Sequence, residues 1–268
     1  MNAVAEATPY SVLMSRVEGS AGEARVTVPD DWLQGRTLFG GLQSAIALKA
    51  MRSLGIEAPL RSLQTVFVGP VGGGVVQARA RVLRSGKNTT HVEARIVDGD
   101  QTLCLVVGVF GMARDSAVKV PFRQPAIQPS ARPIDMRYIP GVAPAFTQHF
   151  KARWVRGGIP FSGMTDPEAV IELGLRDAGP ASEYHVVAMA DFIPPIALSF
   201  LKERAPAASL TWMLELLTED VSALPLEGWR MDAHLTAGHS GYTHQSLELW
   251  GPGGLPVALG RQTMVVFA

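Results

Sequence analysis

The sequence predicts an α+β protein made of two tandem units, each with a long helix wrapped by a curved antiparallel sheet. Two long stretches rich in apolar residues, around 42–54 and 184–201, are candidates for the helices. Four strand-like segments follow each of them, and the short turns between consecutive strands favour hairpins. Because a helix that is apolar on most of its circumference needs cover on most sides, a sheet that curves around it is expected.

The first unit begins with a strand at 23–28, where polar and apolar residues alternate. Its helix runs from Leu42 to Leu54, and Gly55 follows directly. We expect the few polar residues of this helix, Gln43 and Ser44 among them, to be exposed. The four strands that follow are predicted at 60–68, 75–85, 89–97 and 103–113.

The second unit follows a segment of different character. Residues 114–145 contain six prolines and few periodic apolar positions, which is typical of a linker. A strand is predicted at 146–154 and the start of a helix at 165–168. In the second apolar stretch, Pro194-Pro195 predicts either a break or a helix whose continuous part begins near Pro195.

Four strands complete this unit, predicted at 209–217, 229–236, 242–250 and 256–267. The expected domains are 1–113, 114–145 and 146–268.

The two units also match in short segments. Residues 62–65 resemble 209–212, and residues 84–86 with 89–91 resemble 236–238 with 242–244. Both final strands are rich in valine and reach a phenylalanine. This self-similarity indicates a duplication.

Composition excludes several classes of function. Lys plus Arg and Asp plus Glu both total 24, so no global basic field attracts nucleic acid. The single cysteine, Cys104, lies in an apolar strand and is expected to be buried filler. Residues 1–11 carry no pattern typical of a signal peptide, and no apolar run approaches the roughly 20 residues of a membrane helix. A cytoplasmic protein without a membrane span is the expectation.

Several motifs together resemble the acyl-CoA thioesterase II family and its thioesterase-like relatives. Phe39-Gly40-Gly41-Leu42-Gln43 is similar to the family's Phe-Gly-Gly start of the first helix. Residues 63–70 resemble its next strand, and 83–87 its Arg-x-Gly hairpin. Residues 189–195 resemble its second helix region, and 242–263 its terminal strands. The resemblance implies a double hot-dog fold and hydrolysis of acyl-CoA to free acid and coenzyme A, without a cofactor.

The resemblance also implies a catalytic site in the second half. In the family an Asp, a Thr and a Gln hold the attacking water near the helix N-terminus of the other hot-dog unit. The Thr corresponds to Thr236 and the Gln to Gln262, but Thr211 stands where the Asp is expected. A threonine hydroxyl cannot act as a general base near neutral pH. Asp191, an acid in an apolar stretch, either supplies the missing carboxylate or caps a helix. A second explanation is that Thr236 and Gln262 polarise the water without a carboxylate, with slower chemistry.

Phe39, Gly40, Gly41 and Gln64 are candidates for binding the substrate. Glycine at the start of a helix lets a ligand approach the backbone, although a tight turn alone would also explain it. Gln64 is a polar residue in an apolar strand and could line a second, degenerate site.

Other kinds of chemistry match the sequence poorly. His234, His239 and His244 do not have the spacing of metal ligands, so no metal site is expected. Neither a Gly-x-Ser-x-Gly nucleophile elbow nor a dinucleotide-binding loop is present. The substitution at Thr211 leaves a second function open, a non-catalytic acyl-CoA or fatty-acyl binding protein. Monomer, dimer and higher homo-oligomers also stay open.

Overall fold

Strands dominate the chain, and two helices lie against their inner face. The computed structural model describes residues 7–130 and 132–268. Residues 1–6, which entered the expectation about a signal peptide, and Ala131 of the predicted linker lie outside them. The strands are β1 Glu18–Ser20, β2 Glu23–Val28, β3 Leu33–Gln34, β4 Thr37–Leu38, β5 Leu60–Phe67, β6 Gly74–Ser85, β7 Thr89–Asp98, β8 Gln101–Gly111, β9 Ile134–Asp135, β10 Phe150–Arg156, β11 Glu168–Leu175, β12 Ala207–Leu216, β13 Trp229–His239, β14 Tyr242–Gly251 and β15 Leu255–Val266. The α-helices are α1 Tyr10–Ser15, α2 Gly40–Arg52 and α3 Glu183–Ala190.

One continuous antiparallel sheet joins the two halves of the described chain. Its strand order is β1-β2-β6-β7-β8-β5-β12-β15-β14-β13-β11-β10-β9. The halves meet where β5 pairs with β12, with Thr211 opposite Val66 and Glu215 opposite Ser62. The predicted order of strand, helix and four strands is present in the first half.

Helix α2 is buried on most of its circumference, as its apolar composition predicts. It packs on β2, β6, β7 and β8 and against α3. Gln43 and Ser44 are 5% and 0% exposed, so the expectation that they face solvent is wrong. Gln43 donates from Nε2 to the Leu38 carbonyl at 2.7 Å, and the Ser44 hydroxyl lies 3.0 Å from the Thr65 hydroxyl. In the described chain, no helix is long and apolar enough to cross a membrane.

The second helix is shorter than predicted and ends before the proline pair. α3 begins with a capping box, in which the Ser182 side chain receives the backbone N–H of His185 and the His185 side chain receives that of Ser182. It ends at Ala190, and a separate 3₁₀ turn, Ile196–Phe200, begins after Pro195. A proline inside a helix removes a hydrogen bond and clashes with the preceding turn, so the chain breaks at 191–195 instead.

The helix predicted to start at 165–168 is wrong, because Glu168–Leu175 forms strand β11. It lies between β10 and β13, and residues on both its faces are buried. Its run of Ala169, Val170 and Ile171 suits such a strand. Asp166 does not cap a helix; its Oδ1 accepts the Glu168 N–H at 3.0 Å and it pairs with Arg156.

The described residues of the segment 114–145 lie along the surface of the second half. Phe122 stacks on Trp250 with ring centroids 4.8 Å apart, and β9 adds to the sheet edge at β10. The domain bounds 1–113, 114–145 and 146–268 stay a prediction.

The β-bulges lie at corresponding places in the two halves and show which residues of the halves are equivalent. The bulges that serve for this comparison fall at Arg61 and Leu83 in the first half, and at Leu210 and Thr236 in the second. Further register shifts lie in the pairs β7–β8, β10–β11 and β14–β15. Superposing the bulges equates Ser62 with Thr211 and Arg84 with Ala237. The predicted match of 62–65 with 209–212 is therefore out of register by two residues. The predicted match of 84–86 with 236–238 is out of register by one.

Candidate active site

A buried carboxylate, Asp191, lies where the two halves meet. It follows the last residue of α3, and its residue is 9% exposed. Its side chain turns away from its own helix toward the start of α2, where it accepts the backbone N–H of Gly41. Asp191 is thus no N-cap of the helix in its own half. It accepts a free N–H at the first turn of the helix in the other half.

The two glycines at the start of α2 make this approach possible. A Cβ on Gly40 would lie 2.7 Å from Oδ2 of Asp191 and 2.9 Å from the Phe67 ring. A Cβ on Gly41 would lie 3.1 Å from the Cα of Ala188. Any side chain at either position would push the carboxylate or α3 away from α2. In the structure the Asp191 carboxylate and α3 make this close approach to the backbone, and the role of Gly40 and Gly41 in binding substrate stays a prediction.

Phe39, also predicted to bind substrate, is fully buried just before the glycines. Its ring stacks on Phe146 with centroids 4.1 Å apart and an interplanar angle of 8°. Phe150 meets both rings edge-on. These contacts fix the direction in which α2 starts.

Gln262 connects Asp191 to the inner face of the sheet. Its Nε2 donates to Oδ1 of Asp191 at 2.7 Å, and its Oε1 accepts Nε2 of Gln245 at 2.9 Å. Oε1 of Gln245 in turn accepts the backbone N–H of Ile196 at 2.9 Å. The chain of bonds orients each amide, and it leaves Asp191 facing an N–H of α2 on one side and an amide on the other.

Burial sets the charge state of this site. Removing Asp191 from water raises its pKa to about 7, although the bonds from Gly41 and Gln262 favour the charged form. The neighbouring Cys104 is fully buried, and desolvation together with the charge of Asp191 raises the pKa of its thiol to about 12. A carboxylate with a pKa near 7 can take a proton at neutral pH, whereas this thiol stays protonated.

Three other predicted residues do not join this cluster. Thr211 is exposed, and its cross-strand neighbour Val66 is exposed as well, on the outer face of the sheet. Gln64 is exposed on the same face, because its neighbours Leu63 and Thr65 point inward. Thr236 is the bulged, exposed residue of β13, and strand β14 separates it from Gln262. Of the four predicted catalytic residues, the structure brings together Asp191 and Gln262.

Sequence reasoning missed several polar residues that are buried near the site. They are Gln43, Ser44, Thr65, Trp212, Thr243 and Gln245. Strand alternation would have indicated Gln245, which has the same parity as the buried Leu247 and Leu249. It would also have placed Thr65 on the side of Leu63 rather than of Gln64.

The start of α3 is closed by an ion pair. Arg52, the last residue of α2, binds Glu183 at 2.8 and 2.6 Å and donates to the carbonyls of Ile56 and Ala58. Its guanidinium lies 4.6 Å from the centre of the Phe110 ring. The two helix starts therefore differ: α2 faces a carboxylate of high pKa, and α3 carries a salt bridge.

Comparison with known families decides the identity of the fold. Residues 122–266 match the model of the acyl-CoA thioesterase C-terminal domain family. Residues 28–111 match the model of the corresponding N-terminal domain family. The chain belongs to the acyl-CoA thioesterase family. A search of curated proteins found no match.

Solved structures show the same fold over nearly the whole chain. A conserved protein with a hot-dog fold from Alicyclobacillus acidocaldarius is 20% identical, with a TM-score of 0.82 over 92% of this chain and 93% of that one. The tesB protein of Mycobacterium avium subspecies paratuberculosis is 14% identical, with a TM-score of 0.76 over 96% and 98%. The acyl-CoA thioesterase II TesB2 of Mycobacterium marinum is 14% identical, with a TM-score of 0.71 over 95% and 97%. The double hot-dog prediction is confirmed.

Proposed function

We propose that this chain hydrolyses an acyl-CoA thioester to a free acid and coenzyme A, with Asp191 as the general base. The observation that supports it is a buried carboxylate with a pKa of about 7 at the first turn of α2, held by Gln262 at 2.7 Å. A base with a pKa near the working pH combines a usable ionised fraction with useful basicity. Asp191 thereby replaces the carboxylate that the family resemblance places at Thr211.

The reaction follows from these groups. Asp191 takes a proton from a water molecule as the water oxygen bonds to the thioester carbonyl carbon. The carbonyl electron pair moves onto oxygen, where the positive end of α2 stabilises the negative charge. The C–S bond then breaks, and the coenzyme A sulfur leaves with the proton that Asp191 returns. Gln262 keeps the carboxylate oriented through both proton transfers.

Replacement of the two central residues tests this proposal. Asp191→Asn keeps the shape and removes the base, so kcat/KM is expected to fall by about 10²–10⁴-fold. Gln262→Leu leaves the base in place but unoriented, and a smaller loss is expected. Release of coenzyme A from a panel of acyl-CoA thioesters, followed with a thiol reagent, measures both.

Asp232→Asn is the matched control. Asp232 is a second carboxylate, and partial burial raises its pKa as well. Unlike Asp191, it pairs with an arginine, Arg230. Its replacement is expected to leave turnover close to that of the unmodified chain. Wild-type chain that releases no coenzyme A from any thioester would contradict hydrolysis, and tight acyl-CoA binding in calorimetry would then support a binding protein. Full activity of Asp191→Asn would contradict the assigned base.

A further inference from the structure

A row of four polar side chains crosses the inner face of the central strands. Gln245 of β14 pairs with Gln262 of β15, Gln262 with Trp212 of β12, and Trp212 with Thr65 of β5. All four residues are 1–2% exposed. Directly paired residues on one face lie about 5 Å apart, so the four form one continuous row. Asp191 bonds to Gln262 and therefore lies beside this row.

The alignment of the two halves relates this row to a second one, which is made of apolar residues and a glycine. The bulges in β5 and β12 equate Leu63 with Trp212. The register then equates Gly108 with Gln262, Val92 with Gln245, and Leu214 with Thr65. Leu63, Val92 and Leu214 are fully buried, and Met51 packs on Gly108. The fold therefore does not need polar residues at this level of the sheet.

The hydrogen bonds of the polar row are incomplete at one end. Gln245 and Gln262 are bonded as part of the site. The Thr65 hydroxyl lies 3.0 Å from the Ser44 hydroxyl of α2. Nε1 of Trp212, between Gln262 and Thr65, has no acceptor among the described residues. An unsatisfied buried donor costs about 1–3 kcal/mol, so a bound group that supplies an oxygen here would gain affinity.

The end of the row formed by Trp212 and Thr65 lies close to the start of α2, where the hydrolysis is proposed. Ser44 is one helical turn, about 5.4 Å, beyond Gly40. For an acyl group whose thioester carbonyl is bound at the first turn of α2, a path along the inner face of the sheet would lead past Trp212 to the hydroxyl pair. Gln245 and Gln262 are already bonded within the site. Trp212 and Thr65 are therefore the two side chains of the row that can recognise the acyl group.

We propose that Trp212, Thr65 and Ser44 form a specificity site for an acyl group that carries an oxygen a few carbons from the thioester carbonyl, as a hydroxyl or a ketone. The indole N–H donates to that oxygen, and the hydroxyl pair donates to it or accepts its hydrogen. This inference rests on the proposed hydrolysis and names the substrate class. A plain hydrocarbon chain would leave the indole donor unpaired, which disfavours it.

Matched substrates and variants that remove a single polar group test the inference, with controls that match the change in side-chain volume. Pentanoyl-CoA is compared with 3-hydroxypentanoyl-CoA and 4-oxopentanoyl-CoA through the ratio of their kcat/KM values. The unmodified chain is expected to prefer an oxygen-bearing substrate by about tenfold or more. Trp212→Phe and Thr65→Val each remove one polar atom and are expected to bring the ratio toward one. Trp250→Phe and Thr147→Val are the controls, because both residues are buried away from the row.

The outcomes separate this inference from the proposed function. Turnover of all three thioesters at similar rates would overturn the specificity site and keep the hydrolysis. A preference that the controls abolish as strongly as Trp212→Phe and Thr65→Val would overturn it too. If no thioester is hydrolysed, the hydrolysis fails, and calorimetry of the same three ligands decides the specificity site by their affinity ratio. Thr65→Val keeps the test valid if Trp212→Phe fails to fold.

Discussion

Asp191 titrates far above the ordinary range of an aspartate because it is buried. Burial raises its pKa from 3.8 to about 7, and the proposed hydrolysis needs its ionised form. We therefore expect kcat/KM to increase about tenfold per pH unit below pH 7 and to level off above it. A pH–rate profile on one thioester measures this. A profile that is flat down to pH 5 would show that another group limits the reaction.

The same pKa makes a prediction about stability. Between pH 4 and pH 7 the folded state keeps a proton on Asp191 that the unfolded chain has released. The free energy of unfolding from this group therefore falls as pH rises through that window. Asp191→Asn does not titrate, so its stability relative to the unmodified chain is expected to increase from pH 4 to pH 7. Urea unfolding of both proteins at several pH values checks the sign, and a constant difference would contradict the raised pKa.

At the scale of elements, the start of α2 is more constrained than a helix start needs to be. Ala favours a helix over Gly by up to about 1 kcal/mol. A Cβ at Gly40, however, would meet the Asp191 carboxylate at 2.7 Å. We expect Gly40→Ala to keep the fold and to lower kcat/KM by about 10²-fold, because the base is displaced by a fraction of an ångström or more.

Gly72→Ala is the control for this substitution. Gly72 lies in the turn between β5 and β6, and a Cβ there would meet no atom within 4 Å. Equal thermal unfolding of the two variants together with a loss of turnover only in Gly40→Ala is the expected result. Full activity of Gly40→Ala would show that close approach of Asp191 to α2 is not needed.

The elements themselves were largely predictable because most of them follow a simple period. α2 and the hairpins of each half carry their own signal in apolar spacing and turn residues. β11 was missed because it is buried on both faces and so lacks the alternation of a half-buried strand. The end of α3 was misplaced because Pro194 and Pro195 fix only that a break occurs, not on which side the helix lies.

The site was predictable in part, for a reason that belongs to strand geometry. Asp191 and Gln262 were found from an isolated acid in an apolar stretch and from a family position. Thr211 was placed in the candidate site by the family resemblance, and the bulge at Leu210 directs it to the outer face. A one-residue bulge changes which face a side chain occupies, and sequence alone does not fix its position.

For the whole molecule, duplication gives two helix starts, but the chemistry differs between them. The row that bonds to Asp191 is polar, whereas its counterpart is made of Val92, Gly108, Leu63 and Leu214. The start of α3 is occupied by the Arg52–Glu183 pair. A thioester carbonyl at α3 would meet this salt bridge, and the nearby His185 is already engaged with Ser182, Ser11 and Asp177.

One binding site per chain is therefore expected, although the fold repeats. Calorimetric titration of Asp191→Asn with an acyl-CoA that the unmodified chain hydrolyses should give a stoichiometry of one ligand per chain. Asp191→Asn is used because it retains the shape of the site and does not consume the ligand. Two equivalent sites per chain would mean that the second half of the duplication still binds acyl-CoA, and that the apolar row and the ion pair do not exclude it.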